Sequence, residues 1–211
     1  MLDLKGFENM IAIIDYDAGN IKSVEKALHF LGEEVEITRD KEKIRNADKV
    51  ILPGVGNFGD AMGNLQKYDL VDVIHEVVDK GTPFLGICVG LQLLFERSDE
   101  SDGVPGLGIL KGEILRIPDN NGALKIPQIG WNNIQFQKEC KLFEGIEDNS
   151  YVYFVHSYYL KAADESIVTA TAEYGTLIHA AVQKDNVYAC QFHPEKSSDV
   201  GLRILKNFAA L

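Results

Sequence analysis

Apolar positions in the first hundred residues follow two alternating rhythms. Ile11-Ala12-Ile13-Ile14 is a short continuous apolar run, stopped by the turn-forming cluster Asp17-Ala18-Gly19-Asn20. A run of this kind bounded by turn residues reads as a buried strand. Ile21, Val24, Leu28 and Leu31 then recur at helical spacing and Gly32 supplies a stop, which predicts a helix over residues 21–31. Residues 35–38 and 49–52 predict a second and a third strand. An amphipathic stretch over 70–78 predicts another helix, and the apolar run 83–87 a strand leading into Cys88. Strands alternating with helices imply an α/β fold: a mostly parallel central sheet flanked by helices on both faces.

The rhythm changes after about residue 106. Residues 107–117, 126–136, 151–160, 167–172, 177–182 and 187–191 all read as strands, with few helical patterns between them. An additional smaller antiparallel sheet is therefore expected in the second half. Residues 201–211 predict a closing helix with Leu202, Leu205 and Phe208 on one side, and residues 99–105 an exposed loop.

Composition narrows the function classes. The 211 residues can bury a sizeable core and fit one domain. A net charge of −11 lacks the basic footprint of a nucleic-acid binder. Cys88, Cys140 and Cys190 form an odd set without metal-ligand spacing, so neither a disulfide framework nor a metal site is expected. Asp3, Lys5 and Glu8 interrupt the start of the chain, which does not read as a signal peptide, and no apolar stretch reaches the ~18 residues of a membrane helix. A cytoplasmic protein is the expectation.

Two segments carry chemistry. Gly86-Ile87-Cys88-Val89-Gly90 sits behind an apolar run and ahead of Leu91, Leu94 and Phe95 at helical spacing. That is the signature of a nucleophile elbow, with the sulfur at a helix N-terminus where N–H groups stabilise a thiolate. Cys140 and Cys190 lack this setting and read as packing residues. Downstream, Phe192-His193-Pro194-Glu195 supplies an imidazole and a carboxylate. Pro194 keeps His193 out of helix, and in an extended segment residues i and i+2 project to one side. A carboxylate held against an imidazole fixes its tautomer. Pro53-Gly54-Val55-Gly56 after the third strand reads either as a plain turn or as an oxyanion loop, with the N–H of Val89 as second donor. His156 is either a half-buried strand residue or part of a pocket wall.

The elbow, the Pro-Gly-Val-Gly loop and the run Gln191-Phe192-His193-Pro194-Glu195-Lys196-Ser197 together resemble the class I glutamine amidotransferases. Ile13-Ile14-Asp15-Tyr16, Gly130-Trp131-Asn132, Tyr153-Phe154-Val155-His156-Ser157-Tyr158 and Gly201-Leu202-Arg203-Ile204-Leu205 narrow the resemblance to the glutaminase subunits of imidazole glycerol phosphate synthase. It runs over residues 10–211 as one domain; residues 1–9 are an unmatched extension. The resemblance implies a Cys88-His193-Glu195 triad that hydrolyses glutamine through a thioester, without a cofactor or a metal. It implies an oxyanion site from Gly54, Val55, Gly56 and Val89, and a glutamine pocket from Gly54, Gln92, Glu100, His156, Ser157 and Tyr158. Ammonia would pass to a (β/α)8-barrel cyclase subunit in histidine biosynthesis, with Asn20, Trp131, Tyr153 and Lys196 at or near that interface. Weak activity alone and a large rise on assembly are expected, and Gly54→Ala is expected to alter that stimulation rather than folding.

Two positions depart from the resemblance. Gln128 stands where the family commonly has His, and Asp17 where it commonly has Gly. Both lie near the expected interface, so they bear on which partner is served. The rival readings are a paralogue feeding ammonia to another synthase, such as one that modifies surface sugars, a non-catalytic binding protein on the same fold, and a stand-alone cysteine hydrolase.

Overall fold

The computed structural model describes residues 10–211, so the extension over residues 1–9 lies outside the described residues. Along the chain the elements are β1 (Ile11–Ile14), α1 (Ile21–Phe30), β2 (Val35–Thr38), α2 (Lys41–Asn46), β3 (Lys49–Gly54), α3 (Phe58–Lys67), α4 (Val71–Asp79), β4 (Phe84–Cys88) and α5 (Val89–Leu93). Then follow β5 (Arg97–Ser98), β6 (Gly112–Arg116), β7 (Gln128–Asn133), β8 (Gln135–Phe136), β9 (Tyr151–His156), β10 (Tyr158–Ala162), β11 (Val168–Glu173), β12 (Leu177–Lys184), β13 (Val187–Cys190) and α6 (Ser198–Ala209).

Eight strands form the main sheet in the order β2-β1-β3-β4-β13-β12-β11-β8. The first five are parallel neighbours, and β12, β11 and β8 extend them antiparallel. β1, β3, β4 and β13 are buried at every position, as strands covered on both faces must be. Right-handed crossovers from β1 to β2 and back from β2 to β3 place α1 and α2 on opposite faces. α1 packs with α6, and α2 with α4. Val24 and Leu28 of α1 enter the core, and Gly32, at φ 86, ends the helix.

The antiparallel addition expected after residue 106 divides. β12, β11 and β8 join the main sheet, while β10-β6-β5 and β7-β9 form two small sheets of their own. Three expected strands also change, and one of them, residues 126–136, breaks at Ile134 into β7 and β8. Residues 107–117 yield only β6, because Gly108 and Gly112 take φ 64 and 143 and turn the chain. Leu107 and Leu110 are buried outside any strand. Residues 151–160 split at Ser157 into β9 and β10, and α2 and α3 are helices that the residue pattern does not predict.

All the parallel strands point the same way, so the loops after β1, β3, β4 and β13 meet at one edge of the sheet. In open α/β sheets ligands bind at this carboxyl edge. Cys88 ends β4 opposite Gly54 of β3, and His193 follows closely after β13, whose Cys190 pairs with Ile87 of β4.

Candidate active site

Cys88 occupies a strained corner, with φ 54 and ψ −110. A non-glycine residue at positive φ persists only where its surroundings enforce it, and such residues cluster at functional sites. Here the enforcement comes from packing. A Cβ on Gly86 would meet the carbonyl oxygen of Gly90 at 2.8 Å, so that glycine is required for the chain to double back. α5 is shorter than the sequence pattern suggests, so stabilisation of a thiolate by this helix rests on the N–H groups of its first turn.

His193 and Glu195 meet, but not by strand alternation. His193 is extended (φ −101, ψ 96), whereas Pro194–Lys196 form a single 3-10 turn. Lys196 N–H bonds back to the His193 carbonyl at 3.0 Å and Ser197 Oγ donates to the same carbonyl at 2.7 Å. The backbone of Tyr153 fixes the segment from the other side. Its carbonyl accepts from His193 N–H at 2.9 Å, and its N–H donates to Ser197 Oγ at 2.9 Å. The result is His193 Nδ1 against Glu195 Oε1 at 2.8 Å, with both side chains enclosed.

Burial alone would push the His193 ring down. The neighbouring Cys88 sulfur and the Glu195 carboxylate outweigh it and hold the ring up at about 9. With Nδ1 committed to Glu195, Nε2 has no hydrogen-bond partner among the described residues and is free for proton transfer. Cys140 and Cys190 are buried, and burial pushes both thiols up, in keeping with packing roles.

Cys88 and His193 share a cavity of about 250 Å³ with Val55, Gly56, Val89, Gln92, Glu100, Pro127, Val155, His156, Ser157 and Tyr158. That is below the roughly 300–1,000 Å³ of sites for drug-sized ligands, so its occupant is small. Of the pocket residues expected from the sequence, Gln92, Glu100, His156, Ser157 and Tyr158 are all brought together here. Glu100 also accepts from Phe58 N–H at 2.8 Å, which ties the loop over 99–105 to the start of α3. His156 proves to be both alternatives at once, a buried strand residue and a cavity wall. Burial lowers its ring to about 4, so it is neutral. Its Nδ1–H donates to the Tyr158 carbonyl at 2.8 Å, which leaves Nε2 an acceptor, and the Gln128 amide 2.9 Å away must therefore present its NH2.

Gly54 differs from expectation. It lies outside this cavity, in the tight cleft where Gly19, Asn20, His193 and Glu195 also meet. A Cβ there would collide with Tyr16 Oη and stand 2.9 Å from the Val89 Cβ. Gly54 is thus needed for close approach, so Gly54→Ala disturbs packing as well as any stimulation. Rotational freedom belongs to Gly56, at φ 102 with open space around it. Val55, Gly56 and Val89 line the cavity together.

The residue pattern alone does not single out two further contributors. Gln191, fully buried, donates from Nε2 to Cys88 Sγ at 3.6 Å while its Oε1 accepts from Gln92 at 3.1 Å. Its signal is its place two residues before His193 in an extended run. Tyr16 Oη donates to the Pro53 carbonyl at 2.6 Å, pinning the loop that carries Gly54 and Val55.

The four positions expected near a partner separate. Trp131 is exposed and stacks edge-on against half-buried Tyr153, its register neighbour between β7 and β9, with centroids 6.1 Å apart. Lys196 is exposed. Asn20 is half-buried and turned inward, onto Glu195. Asp17 takes φ 63, a conformation glycine adopts freely and Asp tolerates, and it pairs with Arg39 at 2.8 Å. Burial of Gln128 against His156 likewise gives that position a local structural role.

The model of the family described as glutamine amidotransferase class-I matches residues 12–210. The chain belongs to the class I glutamine amidotransferase family. Among relatives of this amidotransferase is the imidazole glycerol phosphate synthase subunit HisH of Methanocaldococcus jannaschii, 50% identical over 202 residues, which cover 96% of this chain and 100% of the relative. A subunit of the same name from Bacillus cereus is 53% identical over 199 residues, covering 94% of this chain and 93% of the relative. The amidotransferase fold is shared with a solved structure described as a glutamine amidotransferase, at TM-score 0.73 and 22% identity, covering 95% of this chain and 99% of that one. PurLQS from Thermotoga maritima gives TM-score 0.73 at 18% identity, covering 94% and 96%.

Proposed function

We propose that this chain hydrolyses glutamine to glutamate and ammonia and passes the ammonia to a cyclase subunit that forms imidazole glycerol phosphate in histidine biosynthesis. Relatives of about 50% identity over nearly their whole length carry the name of that synthase subunit, which supports the choice of pathway. The single observation that carries the chemistry is the meeting of Cys88, on its strained elbow, with the enclosed His193–Glu195 pair at one small cavity.

Cys88, as the thiolate of a thiolate–imidazolium pair with His193, attacks the side-chain carboxamide carbon of glutamine. The N–H groups of Val55 and Val89 take the charge on the tetrahedral oxygen. Collapse expels ammonia, protonated from His193 Nε2, and leaves a thioester. Water deprotonated by the same nitrogen adds to the thioester, and glutamate leaves with return of the thiolate. Glu195 keeps the ring oriented throughout, and Gln92, Glu100, His156, Ser157 and Tyr158 shape the amino-acid pocket. No cofactor enters this sequence of steps.

The partner is a (β/α)8-barrel cyclase, and residues 10–211 act as one catalytic unit within a cytoplasmic heterodimer. Ile129, Trp131 and Tyr151, all more than half exposed on the small sheet whose β9 ends at the cavity residues Val155 and His156, support a protein contact on that sheet. Three free cysteines agree with a reducing compartment.

Glutamate release is measured with and without the cyclase, and imidazole product with both. We expect weak hydrolysis alone, a rise on the order of 10²–10³-fold on assembly, the gain associated with completing an oxyanion site, and no turnover in Cys88→Ala. Glutamate release that survives Cys88→Ala overturns the chemistry, and an intact pair that makes no imidazole product overturns the pathway.

A further inference from the structure

Glu195 is served unevenly. Its side chain is fully enclosed, and Oε1 accepts two hydrogen bonds, from His193 Nδ1 at 2.8 Å and from Asn20 Nδ2 at 2.6 Å. Oε2 has no hydrogen-bond partner among the described residues. An ionised carboxylate only accepts, so the Asn20 amide must present its NH2 to it. Among the described residues Asn20 is therefore the one donor besides the histidine, and a hydrogen bond to an enclosed charge is worth about twice a neutral one.

Asn20 is committed to this contact at the expense of a local one. It stands at the N-cap of α1, where an asparagine side chain ordinarily accepts from the helix's first free N–H groups. It makes no such bond, and its backbone is left-handed at φ 67, ψ 3. The amide instead spans 175 residues of sequence to reach the carboxylate. The close packing of the neighbouring turn fixes its origin, since a Cβ on Gly19 would meet Val55 Cγ2 at 2.8 Å.

We propose that Asn20 is a positioning residue for glutamine hydrolysis: its side-chain amide holds the Glu195 carboxylate, and through it the orientation and Nδ1–H tautomer of His193. This inference rests on the glutaminase reading of Cys88, His193 and Glu195. With Oε1 held between two donors, the carboxylate cannot rotate away from the ring, and Nε2 stays directed at the thiol side. Without the amide, one buried donor remains and the ring loses its fixed reference.

The test uses the full chain, alone and with the cyclase, and four variants. Asn20→Gly removes the amide yet suits the left-handed backbone, Asn20→Asp keeps the shape but sets an acceptor against Glu195, and Glu195→Gln is studied singly and combined with Asn20→Gly. We expect kcat for glutamate release to fall roughly 10- to 100-fold in Asn20→Gly, as for a modest misplacement of a reacting group, and further in Asn20→Asp. KM for glutamine should stay put, the melting temperature should fall by several degrees with the lost bond, and Asn20→Gly should add no further loss of kcat in the Glu195→Gln background. An unchanged kcat, a loss that lies in KM, or an equal loss in both backgrounds overturns the proposal. Failure of the underlying reading is separately visible, as wild-type glutamate release that persists in Cys88→Ala.

Discussion

The position of the elbow against β3 is set at Gly90. The chain after Cys88 folds back onto that strand so closely that a Cβ on Gly90 would stand 2.9 Å from the Leu52 carbonyl carbon, with the carbonyl oxygen nearer still. Both are backbone atoms in the middle of the sheet, so neither can swing aside as a side chain would. Ordinary Cβ contacts do not fall below 3.0 Å, so Gly90→Ala must push the elbow off β3 by on the order of 1 Å. Overpacking of this kind costs about 1–3 kcal/mol, and misplacing a reacting group by about 1 Å costs on the order of 10²-fold in rate. Gly63→Ala is the matched control. Gly63 lies within α3, a Cβ there meets nothing within 4 Å, and alanine is about 0.5–1 kcal/mol better than glycine in a helix. Urea unfolding and glutamate release are measured on both variants. Gly90→Ala should lower the midpoint and the rate together, whereas Gly63→Ala should raise the midpoint and leave the rate alone. A Gly90→Ala protein as stable and as active as wild type would refute the close packing of the elbow on β3.

Two further outcomes are expected. His156 titrates at about 4 in the fold and near 6.5 when unfolded, so the unfolded chain binds a proton first. Its neutral ring contributes stability that is fully present above pH 6.5 and fades as pH falls toward 4, by roughly 3 kcal/mol in all; urea titrations across that range should show a shallower acid loss in His156→Gln, and an unchanged slope would count against a buried neutral ring. Tyr16→Phe removes the bond to the Pro53 carbonyl and leaves a buried acceptor unpaired, which costs about 1–3 kcal/mol. Glutamate release should fall with it, since that carbonyl belongs to the loop carrying Gly54 and Val55; a slowed rate with unaltered stability, or the reverse, would mean the bond serves only one of the two.

How much of this molecule the sequence discloses depends on the physical origin of each feature. The strands of the parallel sheet are legible because β1, β3 and β4 are buried on both faces and so are written in continuous apolar runs. α3 has a signal, with Phe58, Ala61, Met62 and Leu65 buried at helical spacing behind an Asn57 cap. Gly54, Gly56, Gly59 and Gly63 crowd that stretch and make it read as loop. α2 spans six residues, of which Ile44 alone is buried, too few for any periodicity. Over residues 107–117 an apolar pattern reports burial more widely than strand pairing, so the strand expectation there overreaches.

The site divides along the same line. Cys88 and His193 announce themselves because a strained elbow and an X-Pro step need particular neighbours in the chain. The contacts of Asn20 with Glu195, Tyr16 with Pro53 and Gln191 with Cys88 need no local pattern, because strand order creates them. β1 lies beside β3, β3 beside β4 and β4 beside β13, so four loops far apart in sequence end on one edge. Periods of 2 and 3.6 residues show which face of an element is buried, but not which strand is its neighbour. The nucleophile and its base are therefore open to a reader of the sequence, while the groups that hold them in place emerge only from topology. That asymmetry makes the supporting contacts, rather than the triad, the place where structure adds most to what this chain can be asked.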